Sequence, residues 1–570
     1  MTKILAMGLG ALMAEGWAAS AGAASHIDFS GYYRIMYMSE TNTGHGSEPR
    51  SFTDSYFQDR LQLDVTFRPT DQLAIHWSMR GPGSYRRWGS GHTALHTRFI
   101  YGEIIQDWGT VTVGRLSDDL DVYGLASLGY QGGTIPIYTR AAPFDRADVF
   151  DGLRYTYTWD NGFSLLAQYA KLVNNHIGGG QVGGLNNAFN AHSDQDYDRY
   201  QLQGAYIWDG GGAALNVLYE RNATRNIDYA YLGGYEYDNL NYDTIEQWGL
   251  NPAIMHSWGN LSVHFEGMAV WGTLKRATQT AVSRDIDGRG LGAYLDIDYN
   301  YGPGNATLSG WWVSGTGLEE KYRLGLDPGE SNSLANLVGG NFYPLLVAYN
   351  GVNNNPGGGR YVGDKGAAVS AVALANNAYR NYVQAGHVNK LALNNNGMDL
   401  TSAPVNNPNS FANGVVRAQG TRTLSFNEGT DANHWAVALT GSHAFTDDAT
   451  LHYALAYLAL NHPNYRVAKS ATYNDGIKEP AKLGWHTTGY TTQDKDLGFE
   501  IDLGLTIQLL DNLSFTSAFG YMFNGDAYKQ HLGYELSGTN NVVDHNDTIS
   551  AVWKDADDSY VWFNSLTFSF

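Results

Sequence analysis

The chain ends with the stretch Ser559-Tyr-Val-Trp-Phe-Asn-Ser-Leu-Thr-Phe-Ser-Phe570. Large apolar side chains occupy alternate positions of this stretch, interrupted only by Asn564: Tyr560, Trp562, Leu566, Phe568 and Phe570. Small polar residues stand between several of them. Because successive side chains of a β-strand point to opposite faces, the pattern predicts a strand with one aromatic-apolar face and one polar face.

The same two-residue alternation recurs along the chain. It runs through residues 61–67, resumes at 73–79 after the short turn 69–72, and is longest at 497–507. Strands with one apolar and one polar face also occur in soluble β-sandwiches. Aromatic-rich stripes and connections that are alternately short and long favour a membrane barrel instead.

Counting these segments gives eighteen candidate strands, at about 26–38, 55–68, 73–82, 96–107, 110–116, 150–159, 163–172, 197–208, 213–222, 246–256, 261–271, 289–301, 306–316, 433–445, 450–460, 496–508, 513–523 and 557–570. We therefore expect an all-β fold, a transmembrane antiparallel up-and-down barrel with short periplasmic turns and long extracellular loops. Closure of the last strand onto the first would leave no unpaired edge in lipid. Sixteen strands remain possible if one weak hairpin is excluded, and an extra hairpin would make twenty.

The other end of the chain has the pattern of a secretory signal peptide. Lys3 precedes an apolar run from Ile4 to Ala14, followed by small residues and a cleavage pattern at Ala21-Gly-Ala23. The run is too short to span a bilayer, and Glu15 interrupts it. We expect residues 1–24 to be removed on export and residues 25–570 to form one barrel domain.

Composition narrows the functional class. The chain has no Cys, which excludes thiol catalysis and thiolate metal sites, and its net charge of −20 argues against nucleic acid as a partner. No phosphate-binding glycine loop, His-Glu-x-x-His or Gly-x-Ser-x-Gly motif occurs, so we expect no enzyme and no cofactor. His264 and Glu266, two apart on one strand face, could bind a metal, although lining a polar interior is the simpler interpretation.

Two long connections stand out. The third, about 117–149, contains Asp118, Asp119 and Asp121. The seventh, about 317–432, is far longer than an ordinary loop and contains a helix-like pattern at 366–384. This large insertion could cap a pore, fold inward as a plug, or contact neighbouring molecules.

Two segments point to a known family. Phe99-Ile-Tyr-Gly-Glu-Ile-Ile-Gln-Asp-Trp-Gly-Thr-Val-Thr-Val-Gly-Arg115 resembles the strand–turn–strand before the constriction loop of Gram-negative outer-membrane porins. Asp151-Gly-Leu-Arg-Tyr-Thr-Tyr-Thr-Trp-Asp-Asn-Gly-Phe-Ser-Leu-Leu-Ala-Gln-Tyr-Ala170 is similar to the hairpin after that loop. Porins of this type usually have sixteen strands, and eighteen are more typical of the sugar-selective or substrate-specific ones.

The resemblance implies a water-filled channel for passive diffusion of ions and small hydrophilic solutes, with an inward-folded third loop. It also implies an outer-membrane homotrimer in contact with lipid and lipopolysaccharide, inserted by the barrel assembly machinery with Phe568 and Phe570 as the signal. The alternative is a substrate-specific channel for a sugar, organic acid or polysaccharide, gated by the long seventh loop.

Charged residues on the polar stripes are the candidate pore lining. Basic positions are Arg34, Arg60, Arg80 and Arg154; acidic positions are Glu266, Asp296, Asp298, Glu500 and Asp502, joined by Asp118, Asp119 and Asp121 if the third loop folds inward. We expect a basic wall to face an acidic wall and to tune selectivity. Arg115 would need a bulge near Gly114 to reach the interior. The charges could instead simply wet the lumen, and Tyr32, Tyr294 and Trp311 could stack on sugar rings.

Overall fold

The computed structural model describes residues 26–41, 53–87, 95–117, 149–173, 197–222, 244–275, 286–315, 345, 433–462, 465–467, 490–492, 495–525, 531–536, 549–554 and 558–570. The segment expected to be a signal peptide lies outside these residues. So do Asp118, Asp119, Asp121, nearly all of the third connection and, apart from Leu345, the long insertion at 317–432.

The described residues form 22 β-strands. They are β1 His26–Thr41, β2 Thr53–Thr70, β3 Leu73–Arg87, β4 His96–Gln106, β5 Gly109–Ser117, β6 Val149–Thr158, β7 Phe163–Val173, β8 Tyr197–Trp208, β9 Gly211–Asn222, β10 Thr244–Trp258, β11 Leu261–Lys275, β12 Ile286–Asn300, β13 Gly304–Val313, β14 His434–Thr446, β15 Ala449–Leu460, β16 Tyr465–Val467, β17 Tyr490–Thr492, β18 Asp496–Leu510, β19 Leu513–Asn524, β20 His531–Leu536, β21 Ile549–Lys554 and β22 Ser559–Ser569.

Eighteen of these strands form one closed antiparallel sheet. Each pairs with its neighbours along the chain, and β22 pairs back onto β1, with Leu566 opposite Ile35. The predicted eighteen-strand up-and-down barrel is therefore confirmed. The other four strands form two hairpins, β16–β17 and β20–β21, outside the barrel sheet. These hairpins were not predicted, because their short segments lack a sustained alternation.

Short turns join the strands at one end of the barrel, where the chain enters β1 and leaves β22. The turn between β10 and β11 is Gly259-Asn260, with Gly259 at a positive φ of 62°, a conformation that glycine adopts without steric cost.

At the other end of the barrel, β3 extends beyond its predicted end at residue 82. The reason is a bulge: Asp59 lies opposite Arg86 but Leu61 lies opposite Gly81, so residues 82–85 are accommodated within the strand.

The polarity of the barrel is the reverse of that of a water-soluble domain. On β8, the outward side chains of Tyr200 and Leu202 are about half exposed, whereas the inward side chains of Gln201 and Gln203 are buried. The same alternation places Trp562, Leu566, Phe568 and Phe570 outside on β22. An apolar outer surface with a polar interior is the arrangement expected of strands that face hydrocarbon on one side.

Aromatic side chains mark two levels on the outer surface. At the long-connection level, five lie directly opposite one another on β7 to β11: Tyr169, Tyr200, Tyr219, Trp248 and Trp271. Near the short turns lie Trp108, Trp159, Phe163, Tyr206 and Trp258. On β10, Trp248 and Trp258 are ten residues apart. A strand tilted by about 40° covers roughly 25 Å along the barrel axis over ten residues, which matches the apolar band of a membrane barrel.

No helix in the described parts of the chain is long and apolar enough to cross a membrane.

Candidate pore lining

The inward faces of the eighteen barrel strands enclose the candidate site. Strands spaced about 4.8 Å apart and tilted by about 40° give a backbone diameter of roughly 35 Å for a closed sheet of this size. Side chains on opposite walls therefore do not touch across the barrel. The charges and polar groups that line each wall are therefore set by the strands of that wall.

A basic arc lies on β1, β2 and β3. Arg34 is directly opposite Arg60, and Arg80 is opposite Gln62, the next inward-facing residue of β2. Across the closing seam, the Nε of Arg34 donates to Oγ1 of Thr567 at 3.1 Å, and Arg80 donates to Oε1 of Gln62 from both Nε (3.2 Å) and Nη2 (2.8 Å). Like charges directly opposite each other destabilise a sheet, so this pairing is a local conflict of the kind found at functional sites.

An acidic sector lies on β11 and β12. Asp296 accepts hydrogen bonds from the hydroxyls of Tyr294 and Ser309, each at 2.5 Å, and Asp298 accepts one from Thr307 at 2.6 Å. Glu266 is fully buried on the adjoining strand. Strands β11 and β12 are nine positions from β2 and β3 in a ring of eighteen, so the acidic sector stands opposite the basic arc.

Three charges lie elsewhere than predicted. Glu500 and Asp502 are buried on β18, which is separated from β1 only by β19 and β22. They therefore stand beside the basic arc and not across from it. Arg154, on β6, is five strands from both β1 and β11, and its Nε donates to Oε1 of Gln168 at 2.8 Å. The division into two walls by sequence order is wrong for these residues, because a closed barrel brings its last strands next to its first.

Arg115 is the second correction. The registers of β5 with β4 and with β6 run without a shift, although Gly114 has a φ of 137°. Arg115 therefore stays on the outward face, opposite Ile100 and Asp151, with Nη1 at 3.9 Å from the Asp151 carboxylate. The bulge that would turn it inward is not present. Arg115 does not belong to the candidate pore lining.

Sequence reasoning missed a buried polar network on β8 to β11. The Nε of Arg199 lies 2.6 Å from Oε1 of Glu220, and the two side chains are only 2% and 1% exposed. Gln247 donates from Nε2 to the other carboxylate oxygen of Glu220. Both charged residues fall on the polar stripes of the sequence, but they are 21 residues apart and only the strand register shows that they meet.

A second missed cluster joins β2, β3 and β4. His76 lies between Thr66 and Glu103, with Nδ1 at 3.1 Å from the threonine hydroxyl and Nε2 at 2.9 Å from the carboxylate. Its ring stacks on Tyr101 at 4.8 Å. No group of three or more His, Asp or Glu residues suited to a metal occurs in the described part of the chain, and the His264–Glu266 pair has no third ligand of that kind there.

One sheet therefore combines four features. It is closed, its polarity is reversed, its outer surface carries two aromatic levels about a membrane thickness apart, and its interior is charged. The chain forms a closed eighteen-strand antiparallel β-barrel with an apolar outer surface and a polar interior. That assignment rests on the strand pairing and polarity of the chain itself.

No family model matches the chain, and no curated protein matches it either. Solved structures similar to it include OccK11 (OpdR) of Pseudomonas aeruginosa, at 10% identity over 95% of this chain and 96% of that chain, with a TM-score of 0.40. OpdQ of Pseudomonas aeruginosa has 10% identity over 95% and 98%, with a TM-score of 0.40. OmpT, an outer membrane protein of Vibrio cholerae, has 10% identity over 97% and 99%, with a TM-score of 0.33.

Proposed function

We propose that the protein is an outer-membrane channel for passive diffusion of ions and small hydrophilic solutes. The observation that supports this most directly is a basic arc on β1–β3 opposite an acidic sector on β11–β12, inside a closed barrel whose outer surface is apolar. A polar charged interior has no use in a lipid-filled or purely structural cylinder. It suits a path for water and solutes.

The charge placement gives the channel a transverse field. Opposite walls are separated by well over the Debye length of about 8 Å at physiological salt, so the two arcs do not cancel each other in water. Anions are drawn towards Arg34, Arg60 and Arg80, and cations towards Glu266 and Asp296. The field orients solutes but supplies no energy, so transport follows the concentration gradient.

The cellular context belongs to the same proposal. Residues 1–24 direct export, and the barrel machinery recognises the C-terminal strand with Phe568 and Phe570. Their outward position supports this role, and Phe570 exchanges two backbone hydrogen bonds with Gly31 of β1, which lock the closing seam. The mature chain resides in the outer membrane among lipid and lipopolysaccharide, as a homotrimer.

Planar-bilayer recording tests the channel function. Purified, folded full-length protein is added to one side, and single-channel conductance and the reversal potential in a KCl gradient are measured. We expect discrete conductance steps that scale with salt concentration. The same protein unfolded by boiling in detergent is the control. Folded barrels that insert into the bilayer without conducting contradict the proposal.

A substrate-specific channel is the second candidate, and one observation favours it. The inward charges Arg34, Glu266, Glu500 and Asp502 are at most 1% exposed, so these positions are shielded from bulk water. A restricted passage saturates with its solute, whereas a general pore does not. Flux into liposomes measured against solute concentration distinguishes the two, since only a specific channel reaches a plateau.

A further inference from the structure

Side-chain amides are concentrated on one part of the inward face, between the basic arc and the acidic sector. Six lie on the four neighbouring strands β7 to β10, and all are buried: Gln168, Gln201, Gln203, Asn216, Gln247 and Asn251. We call this set the amide wall. Its members are in register, because Gln168 is opposite Gln201, Gln203 is opposite Asn216, and Asn216 is opposite Asn251.

Three hydrogen bonds within the amide wall run in one direction around the barrel. Gln201 donates to Asn216 at 3.4 Å, Asn216 donates to Asn251 at 3.0 Å, and Asn251 donates to Glu266 at 2.9 Å. Each step uses the NH₂ group of an amide. The ladder uses the NH₂ groups of three amides but the oxygens of only two, because it ends on the carboxylate of Glu266, so the oxygen of Gln201 is left over.

Amide oxygens of this kind are the second observation. In the part of the chain that the structure describes, the buried Oε1 atoms of Gln201, Gln203 and Gln247 accept no hydrogen bond from the protein. Their neighbours Tyr200, Leu202 and Trp248 point outward, so the three glutamines point inward. Buried amide oxygens without a donor are unfavourable, which makes them fit partners for a solute that supplies donors.

Beside the amide wall, Arg199 and Glu220 form a buried ion pair at 2.6 Å. Arg154 donates to the amide oxygen of Gln168, which occupies that oxygen. The oxygens of Gln201, Gln203 and Gln247 are therefore the neutral acceptors that the wall offers to a solute. Beyond Glu266, two buried aromatic residues lie directly opposite each other, Tyr294 on β12 and Trp311 on β13. Neutral acceptors beside aromatic faces suit a polyhydroxylated solute, whose hydroxyls donate and whose C–H faces pack on rings.

We propose that the amide wall, with Tyr294 and Trp311, binds neutral polyhydroxylated solutes of the sugar class. This rests on the proposed channel function, and it names the solutes that the channel handles. Selectivity arises because an anion meets unfavourable carbonyl dipoles here, whereas a sugar hydroxyl completes the hydrogen bonding of the glutamines.

The test measures block of the ion current through the full-length channel by three probes: sucrose as a neutral polyol, gluconate as an anion and spermidine as a cation. The main variant is Gln203→Met, because it removes an acceptor at nearly constant volume outside the Asn216–Glu266 ladder. We expect sucrose affinity to fall roughly 2- to 10-fold. Gln247→Met is a second variant with the same expected loss of sucrose affinity, and it also removes the donor to Glu220.

The matched control is Thr440→Val, which removes a buried inward polar group on β14, outside the amide wall. Sucrose affinity that falls in Gln203→Met and not in Thr440→Val supports the proposal. Equal block in the wild type and both glutamine variants overturns it. Block by spermidine alone that Gln203→Met relieves also overturns it, since the occupant is then a cation.

Calorimetry in detergent separates this proposal from the channel function. Sucrose binding that is weakened by Gln203→Met in a protein that conducts no ions supports the amide-wall site and contradicts the channel. A channel that conducts ions but shows no sucrose binding, either by calorimetry or by block of the current, supports the channel function and contradicts the amide-wall site. Heat-modifiable migration on gels confirms that each variant has folded before it is compared.

Discussion

Two regions of the same interior treat a buried arginine in different ways. In the basic arc, Arg34 donates to a threonine hydroxyl and Arg80 to a glutamine oxygen. In the network on β8–β10, Arg199 meets the carboxylate of Glu220 at 2.6 Å. The contacts described for the first region are to neutral groups, whereas the second region pairs its arginine with a carboxylate of the wall. Burial of an arginine alone thus does not show which purpose it serves.

The largest expected effect comes from breaking the neutralised region. Glu220→Leu leaves the Arg199 guanidinium buried without its carboxylate. We expect a loss of about 3 to 5 kcal/mol in the free energy of unfolding, because the desolvated charge is no longer compensated. Urea unfolding of the detergent-solubilised barrel, followed by tryptophan fluorescence, measures this loss.

The control is the double variant Arg199→Met/Glu220→Leu, which removes both charges and restores much of the stability. Arg80→Met in the basic arc is the cross-comparison, and its smaller cost reflects a half-buried side chain with neutral acceptors. If Glu220→Leu costs no more than Arg80→Met, the contrast between the two regions is wrong.

A second, smaller effect concerns the seam that holds the basic arc in place. A Cβ at Gly31 would lie 2.3 Å from the backbone oxygen of Gln62 and 3.0 Å from the ring of Phe570. We expect Gly31→Val to destabilise the barrel by about 1 to 3 kcal/mol through overpacking between β1 and its two neighbours, β2 and the C-terminal end of β22. The readout is the fraction of protein that migrates as the heat-modifiable folded form.

Gly204 supplies a matched glycine. It also faces outward on a barrel strand, but a Cβ there would meet no atom within 4 Å. Gly204→Val should therefore leave the folded fraction near the wild-type value. Equal losses for the two variants would show that loss of strand glycine, and not crowding at the seam, is responsible.

The fold could be predicted from sequence because its signal is local. A two-residue period identifies the strands, and alternately short and long connections order them as an up-and-down barrel. The ends of the strands were harder to predict from the sequence. The strand predicted at 73–82 continues to Arg87 through a bulge that only the pairing with the partner strand shows.

The site was predicted only in part, because it depends on register and closure. Polar stripes correctly assigned Arg34, Arg60, Glu266 and Asp296 to the inward face. They could not show that Glu500 lies near β1, because closure of the barrel places the last strands of the sequence next to the first. The Arg199–Glu220 pair and the amide ladder were missed because of register: each contact joins neighbouring strands at positions that no local pattern specifies.

The third effect is on ion selectivity. Replacing Arg34, Arg60 and Arg80 together with glutamine removes the charge of the basic arc, so we expect the anion-to-cation permeability ratio to fall roughly two- to fivefold. The reversal potential in a KCl gradient measures the ratio. Glu266→Gln with Asp296→Asn and Asp298→Asn should shift it the opposite way.

The basic-arc assignment fails if the triple variant retains the wild-type reversal potential while forming normal channels. A shift in the same direction for both triple variants would show that the two sectors do not act as opposed arcs. Each variant is recorded at low and high salt, because screening should reduce a genuine field effect.

The smallest effect is expected from Arg115→Gln on the outer surface. Its contact with Asp151 is long, at 3.9 Å, and the two side chains are 47% and 71% exposed, so the stability change should be below about 1 kcal/mol. The variant removes the same unit charge as Arg60→Gln, yet from the outward face. We expect an unchanged reversal potential for Arg115→Gln and a measurable shift for Arg60→Gln. Equal shifts would mean that net charge governs selectivity, because position inside or outside the barrel would then make no difference.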